Sequence, residues 1–252
     1  MKIAVHETSE AMGRAAAEKA ADILRRAIEE KGRAAFVAAT GASQFAFLDR
    51  LVQAAGVAWD RTTMFHLDEY IGLPADHPAS FRRYLRERLV SRVPIGAAHF
   101  IAGDAEDLST ELERLSRLLA ATPIDVAFVG VGENGHLAFN DPPADFDTER
   151  PYLVVALDQA CRQQQFGEGW FPSFEAVPKR AVSMSIKQIM KSKAIVCTVP
   201  EKRKAKALQA ALEGPIGPQV PASILRQHER CFLFTDREAA GLVQPATIRQ
   251  YS

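Results

Sequence analysis

The sequence predicts an α/β fold: a doubly wound, mostly parallel sheet with helices on both faces and an irregular lid segment. Two observations predict the sheet. Short apolar runs of strand length alternate with amphipathic helical patterns along most of the chain. The runs are apolar at neighbouring positions, as in strands covered on both faces. A third observation predicts the lid. Residues 143–180 break the rhythm with several Pro and Gly, the polar stretch Asp158-Gln-Ala-Cys-Arg-Gln-Gln-Gln165, and Gly167-Glu-Gly-Trp-Phe-Pro172. Long irregular segments inside compact domains tend to be lids or binding loops.

Taken in order, Lys2–His6 reads as a strand and Glu10–Lys31 as a helix. Gly32 follows that helix where a left-handed cap residue is favoured. Ala34–Ala39 is the next strand, then a helix over Ser43–Ala54. Strand Thr62–Leu67 precedes a Gly/Pro loop and a helix over Ser80–Leu89. Strand His99–Ala102 leads to a helix over Ala105–Ala121, and strand Ile124–Val129 to a glycine-rich loop. Strand Ala194–Val199 precedes a helix over Glu201–Leu212, where Ala205, Leu208 and Leu212 recur at the spacing of a sheet-facing stripe. Arg230–Thr235 is the last strand. No repeat or low-complexity linker divides the chain, so residues 1–252 read as one α/β domain with a candidate lid at 143–180.

A chain of 252 residues suffices for a sizeable core. Its 31 basic and 31 acidic residues balance, which argues against a nucleic-acid or anionic-membrane surface. Cys161, Cys197 and Cys231 are far apart, odd in number and without metal spacing, as expected for a reducing compartment. The N-terminus lacks a hydrophobic signal core, and no apolar run reaches membrane-spanning length. The expectation is a cytoplasmic protein with a small-molecule partner. The oligomeric state stays open, a homo-oligomer being compatible with the chain.

The chemistry concentrates in Gly130-Val-Gly-Glu-Asn-Gly-His-Leu-Ala-Phe-Asn-Asp-Pro-Pro143. Its Gly130-x-Gly132-x-x-Gly135 spells the dinucleotide fingerprint, but that motif must open a helix whose N-terminus holds the pyrophosphate. His136 and the paired prolines leave no room for such a helix. A loop threaded through a polar pocket fits better. His136 is the one histidine in a glycine-rich loop after a strand, and Glu133, Asn134 and Asp141 beside it can fix its tautomer or charge. A lone histidine is otherwise more often structural, and His6, His77, His99 and His228 read that way.

Three further polar clusters follow strands: Thr40-Gly-Ala-Ser43, Asp68-Glu-Tyr70 and Glu201-Lys-Arg-Lys204. In an open parallel sheet such strand ends share one edge, where ligands bind. Thr40, Gly41, Ala42 and Ser43 open a helix and can hold a phosphate, although Ser43 also suits an ordinary N-cap. Lys204 lies in a first helical turn, where the helix dipole prefers carboxylates. It is a phosphate candidate, or else part of a solvated basic face with Lys202, Arg203 and Lys206. Asp68 ends an apolar strand, where burial raises a carboxyl pKa and makes a base, although Asp also forms turns. Consecutive strand residues point oppositely, so only one of Asp68 and Glu69 faces the pocket. Convergence of His66, Asp68 and His136 on a metal is the weaker alternative, since no HxxxH or CxxC spacing supports it. An Asp base, a separate His and a phosphate cradle suit proton abstraction beside a sugar-phosphate carbonyl.

Phe65-His-Leu-Asp-Glu-Tyr-Ile-Gly-Leu-Pro74, with His77-Pro-Ala-Ser80, resembles a signature of the glucosamine-6-phosphate deaminase/isomerase family. So does Gly130 to Pro142. Thr40-Gly-Ala-Ser43 resembles the family's phosphate loop, and Lys204 to Gly214 its phosphate-lysine helix; the likeness runs in order from about Ala34 to Asp236. The resemblance implies a doubly wound fold, no metal or organic cofactor, and conversion of an amino-sugar phosphate to fructose 6-phosphate and ammonia. By motif position Asp68 is the implied base and His136 the ring-opening group, with Asn134 and Asp141 flanking it. Thr40, Gly41, Ala42, Ser43 and Lys204 are the implied phosphate contacts, with Glu69, Gly135 and the lid residue Arg162 as further substrate contacts. The chain departs from the pattern where Asn134 replaces a frequent Asp, Asp141 a frequent Glu, Ala42 a Gly and Gln44 a Pro. The alternatives are a 6-phosphogluconolactonase-type hydrolase and a non-catalytic sugar-phosphate sensor. Tyr70 and Phe139-Asn-Asp141 fit the deaminase pattern better than the first, and the retained Asp68 and His136 argue against the second.

Overall fold

The computed structural model describes residues 1–252. Strand β1 (Lys2–His6) leads into α1 (Ser9–Lys31), whose start is set by the Thr8 hydroxyl accepting from the Ala11 N–H. Gly32 ends α1 at φ +76°, the left-handed cap expected there. Strand β2 (Ala34–Ala38) is buried throughout: Ala34, Phe36 and Ala38 enter the core on one face of the sheet, Ala35 and Val37 the core on the other. Next come α2 (Phe45–Leu51), β3 (Thr62–His66), the short β4 (Asp68–Tyr70) and α3 (Phe81–Leu85), which continues into a π-turn over Arg86–Val90. Strand β5 (Ala97–His99), helix α4 (Leu108–Ala121) and strand β6 (Val126–Gly130) complete the first half.

The second half holds β7 (Tyr152–Ala156), α5 (Gln159–Gly167), β8 (Arg180–Met184), α6 (Ile186–Met190) and β9 (Ile195–Val199). A 3₁₀ turn over Lys202–Lys204 enters α7 (Ala205–Glu213), and β10 (Cys231–Asp236), α8 (Arg237–Ala240) and α9 (Pro245–Tyr251) close the chain. Ala205, Leu208 and Leu212 are buried, as their spacing predicts.

Seven strands pair in parallel in the order β1-β10-β9-β6-β2-β3-β5. From β2 the chain winds outward through β3 to β5, then returns to β6 on the other side of β2 and winds back to β10. The direction of winding therefore reverses between β2 and β6. A crevice opens there at the carboxyl ends of the strands, where the loops on either side diverge.

The segment 143–180 is more regular than its composition suggests. It contains β7 and α5, and β7 pairs antiparallel with β8, which pairs antiparallel with β4 to form a second, three-stranded sheet. Leu157, Cys161, Phe171 and Val177 pack with Tyr70, Phe81 and Phe139 in a separate apolar cluster. That burial supplies the order which Pro and Gly disguise in the sequence. Two smaller differences concern strand ends. The strand expected at His99–Ala102 lies at Ala97–His99, and Asp68 begins a new antiparallel strand instead of ending β3.

Candidate active site

The crevice is a cleft lined by the loops after β2, β3, β6 and β9 and by one side of α5. Of the residues singled out in the sequence, Thr40, Gly41, Ala42, Ser43, Asp68, His136 and Lys204 all line it.

Asp68 is brought there by β4, whose register sets it opposite Ser183 of β8. Its side chain is buried and Oδ1 has no hydrogen-bond partner. Burial, and then the neighbouring Glu69, push its pKa up to about 8. Glu69 points away, as strand alternation requires. It accepts from the N–H groups of Tyr70, Phe81 and Arg82 and from the Ser80 hydroxyl, so it anchors the start of α3 and does not contact the cleft.

His136 stands across the cleft on the loop after β6. Its Nδ1 lies 2.9 Å from Asp141 Oδ1. Burial works to raise the Asp141 pKa, but the bond and charge of His136, the Asn134 amide and the Asp158 N–H outweigh it and hold the carboxyl below its ordinary value. An ionised carboxylate only accepts, so Nδ1 carries the hydrogen and Nε2 is the atom available for proton exchange. Gly132 is required beside the ring: a Cβ there would lie 2.2 Å from His136 Nε2. Ala138, at φ +53°, turns the chain so that Phe139 N–H and the Asn140 amide bond the Ser183 hydroxyl. Strand β8 thus fixes the Asp68 strand by pairing and the His136 loop by side chain.

Asn134 and Asp141 lie behind His136 and do not line the cleft. Gly135, at φ +85°, packs against Val220 and is likewise outside it. Arg162 also departs from expectation. It stacks on Phe174 and donates to the Phe174 and Val177 carbonyls, stapling the loop after α5. The face of α5 that meets the cleft carries Gln164 and Gln165, followed by Glu168. The sequence shows these residues in a polar run, but selecting them needs the phase of a helix whose start, Asp158, becomes evident only from its cap bond to the Cys161 N–H.

Lys204 is 3% exposed, and its ammonium has neither hydrogen bond nor ion pair. Burial, and then Arg203, lower its pKa to about 8. Arg203 itself is engaged by Glu133, Glu168 and Glu201. Opposite Lys204, no side chain caps the turn Ala42–Gln44, and Ser43 is not the N-cap. Uncapped N–H groups, two hydroxyls and one buried unpaired cation make a receptor for an anion.

His66 does not join the site. It is buried with its Nδ1 accepting from the Ile101 N–H, and burial lowers its pKa to about 3, so it stays neutral. The group with metal-ligating side chains is His136, Asp141 and Cys161, whose donor atoms lie within 4.8 Å of one another. Its Asp141 oxygens are already bonded by His136, Asn134 and the Asp158 N–H, as suits a positioned imidazole–carboxylate pair. All three cysteines are free and buried, and no helix is long and apolar enough to cross a membrane.

A family described as glucosamine-6-phosphate isomerases/6-phosphogluconolactonase matches residues 7–233. A glucosamine-6-phosphate deaminase of Streptococcus uberis is 38% identical over 203 residues, 81% of this chain and 85% of its own. That of Lactobacillus delbrueckii subsp. bulgaricus is 32% identical over 244 residues, 97% of this chain and 100% of its own. Among solved structures, a monomeric glucosamine-6-phosphate deaminase superposes with a TM-score of 0.86 at 33% identity, covering 96% of this chain and 100% of its own. A 6-phosphogluconolactonase of Thermotoga maritima shares the fold, with a TM-score of 0.76 at 21% identity over 93% of this chain and 99% of its own.

Proposed function

The chain belongs to the glucosamine-6-phosphate isomerase/6-phosphogluconolactonase family, and from that premise we propose that it isomerises and deaminates a hexosamine 6-phosphate, converting glucosamine 6-phosphate to fructose 6-phosphate and ammonia. One observation carries this reading. A buried carboxylate with a free oxygen, an imidazole backed by a carboxylate, and a buried unpaired lysine line the same cleft. The 32–38% identity to named deaminases supports it.

In this reading the phosphate sits against Lys204, the Thr40 and Ser43 hydroxyls and the N–H groups of the Gly41–Ser43 turn. Nε2 of His136 moves the proton at the ring oxygen as the sugar opens. Asp68, ionised, takes the proton from C2 of the open aldehyde as O1 gains a proton, giving an enolamine, and returns it to C1 as the nitrogen gives up one of its protons. The amino group is then a C2 imine; water adds to that carbon and ammonia leaves, giving the ketose. Asp141 stabilises the charge on His136 without touching substrate.

The test is ammonia release from the 6-phosphates of glucosamine, galactosamine and mannosamine, with 6-phosphogluconolactone hydrolysis measured alongside. Ammonia and fructose 6-phosphate from glucosamine 6-phosphate are expected. Lactone hydrolysis without ammonia from any amino sugar would contradict the reading.

A further inference from the structure

Asn134 stands between two carboxylates. Its amide nitrogen donates to Asp141 Oδ1 at 3.0 Å and to Asp158 Oδ2 at 3.2 Å, while its oxygen accepts from the His136 N–H at 3.1 Å. Two carboxylate acceptors and a backbone N–H donor fix the orientation of the amide. Asp158 reaches the same carboxylate by a second route, its own N–H donating to Asp141 Oδ2 at 3.0 Å. It also caps α5, with Oδ1 accepting from the Cys161 N–H at 2.6 Å. Asn134 and Asp141 belong to the loop after β6, but Asp158 belongs to the helix that presents Gln164, Gln165 and Glu168 to the cleft.

We propose that Asp158 is a positioning residue: with the Asn134 amide as neutral spacer, it holds Asp141 in register with His136 and ties that register to the first turn of α5. The assignment rests on His136 serving as the acid–base group. The titratable groups around the imidazole are Asp141 on its own loop, Asp158 and Cys161 from α5, and Asp68, Glu168 and Lys204 lining the cleft. Cys161 stays a thiol, since burial and then the Asp141 charge push its pKa far up. Asp141 therefore meets the imidazole of His136 and one carboxylate neighbour, Asp158, and the Asn134 amide bonds both acids. A carboxylate at position 134 would put a third acid there and remove the shared donor.

The test is a double-mutant cycle with Asn134→Asp, Asp158→Asn and the pair. Asp158→Asn keeps the helix cap, because Asn caps as well as Asp. It lowers kcat by about threefold to tenfold with KM little changed. Asn134→Asp lowers kcat by about 10-fold to 100-fold and shifts the acid limb of the pH profile. The pair replaces one carboxylate–carboxylate contact by an amide donor and so recovers at least about fivefold over Asn134→Asp, although Asp158→Asn alone is harmful. The downfield proton resonance of His136 Nδ1–H, identified by its loss in His136→Gln, weakens in Asn134→Asp and returns in the pair. Equal activity and resonance in the pair and in Asn134→Asp would overturn the proposal. The resonance decides it even if the native protein released no ammonia, which would contradict only the functional reading.

Discussion

Gly132 and His136 compete for one volume, and the competition makes Gly132 a sensitive probe of the site. A Cβ at 132 would lie 2.2–2.3 Å from three atoms of the imidazole, so the ring must move. Gly132→Ala should lower kcat about 100-fold with the fold intact, because a displacement near 1 Å of a proton-transfer group costs about that much. Steady-state kinetics with a melting curve check it. Asp68 and Lys204 set the pH dependence. Asp68 works ionised and its pKa is about 8, so kcat/KM should rise with pH towards 8; Lys204 works charged, with its pKa also about 8, so kcat/KM should fall above 8. A plateau from pH 5 to 10 would exclude these groups. Asp68, His136 and Lys204 were legible because each follows a strand end in a context where its residue type is unexpected. Arg162 was not, because a long cation in a lid looks the same whether it faces a ligand or, as here, two carbonyls of its own loop.

Arg203 is one clasp that holds helix α5 over the cleft. Its guanidinium bonds Glu133 after β6, Glu168 after α5 and Glu201 after β9. Arg203→Ala should raise KM severalfold and speed hydrogen exchange across residues 159–168, with less effect on kcat. The clasp is part-exposed, so high salt should weaken it in the native protein as well. Unchanged exchange in that segment would show that α5 needs no clasp. The central parallel strands β2, β6 and β9 were readable because each is an apolar run buried on both faces. Strands β7 and β8 were missed because they build a sheet of another kind, half-exposed along β7 and antiparallel, in a stretch rich in turn residues.

The whole molecule carries the cost of its cleft. Asp68 ionises near 3.9 when unfolded and near 8 when folded, so folding holds its proton and stability is lost as pH rises from about 4 through 8. Lys204 has the opposite sign. Its folded pKa lies below the unfolded value of about 10.4, so stability is lost as pH falls through about 8. Asp68→Asn should therefore raise Tm most above pH 8, and Lys204→Met most below it, as calorimetry at pH 5, 7 and 9 would show. Both groups sit where the winding of the sheet reverses, at the end of a fold that otherwise buries apolar strands. That the strands run parallel was implicit in the alternation of strands and helices. The strand order that places the β2 and β6 loops side by side had to come from the structure.

The most direct test of the account is ammonia release from glucosamine 6-phosphate by the native protein and by Asp68→Asn at pH 8. The native protein should turn over, and the variant should lose about 10²–10⁴-fold in kcat while still binding fructose 6-phosphate. Turnover by Asp68→Asn at the native rate would contradict the assignment of the buried carboxylate as the proton carrier.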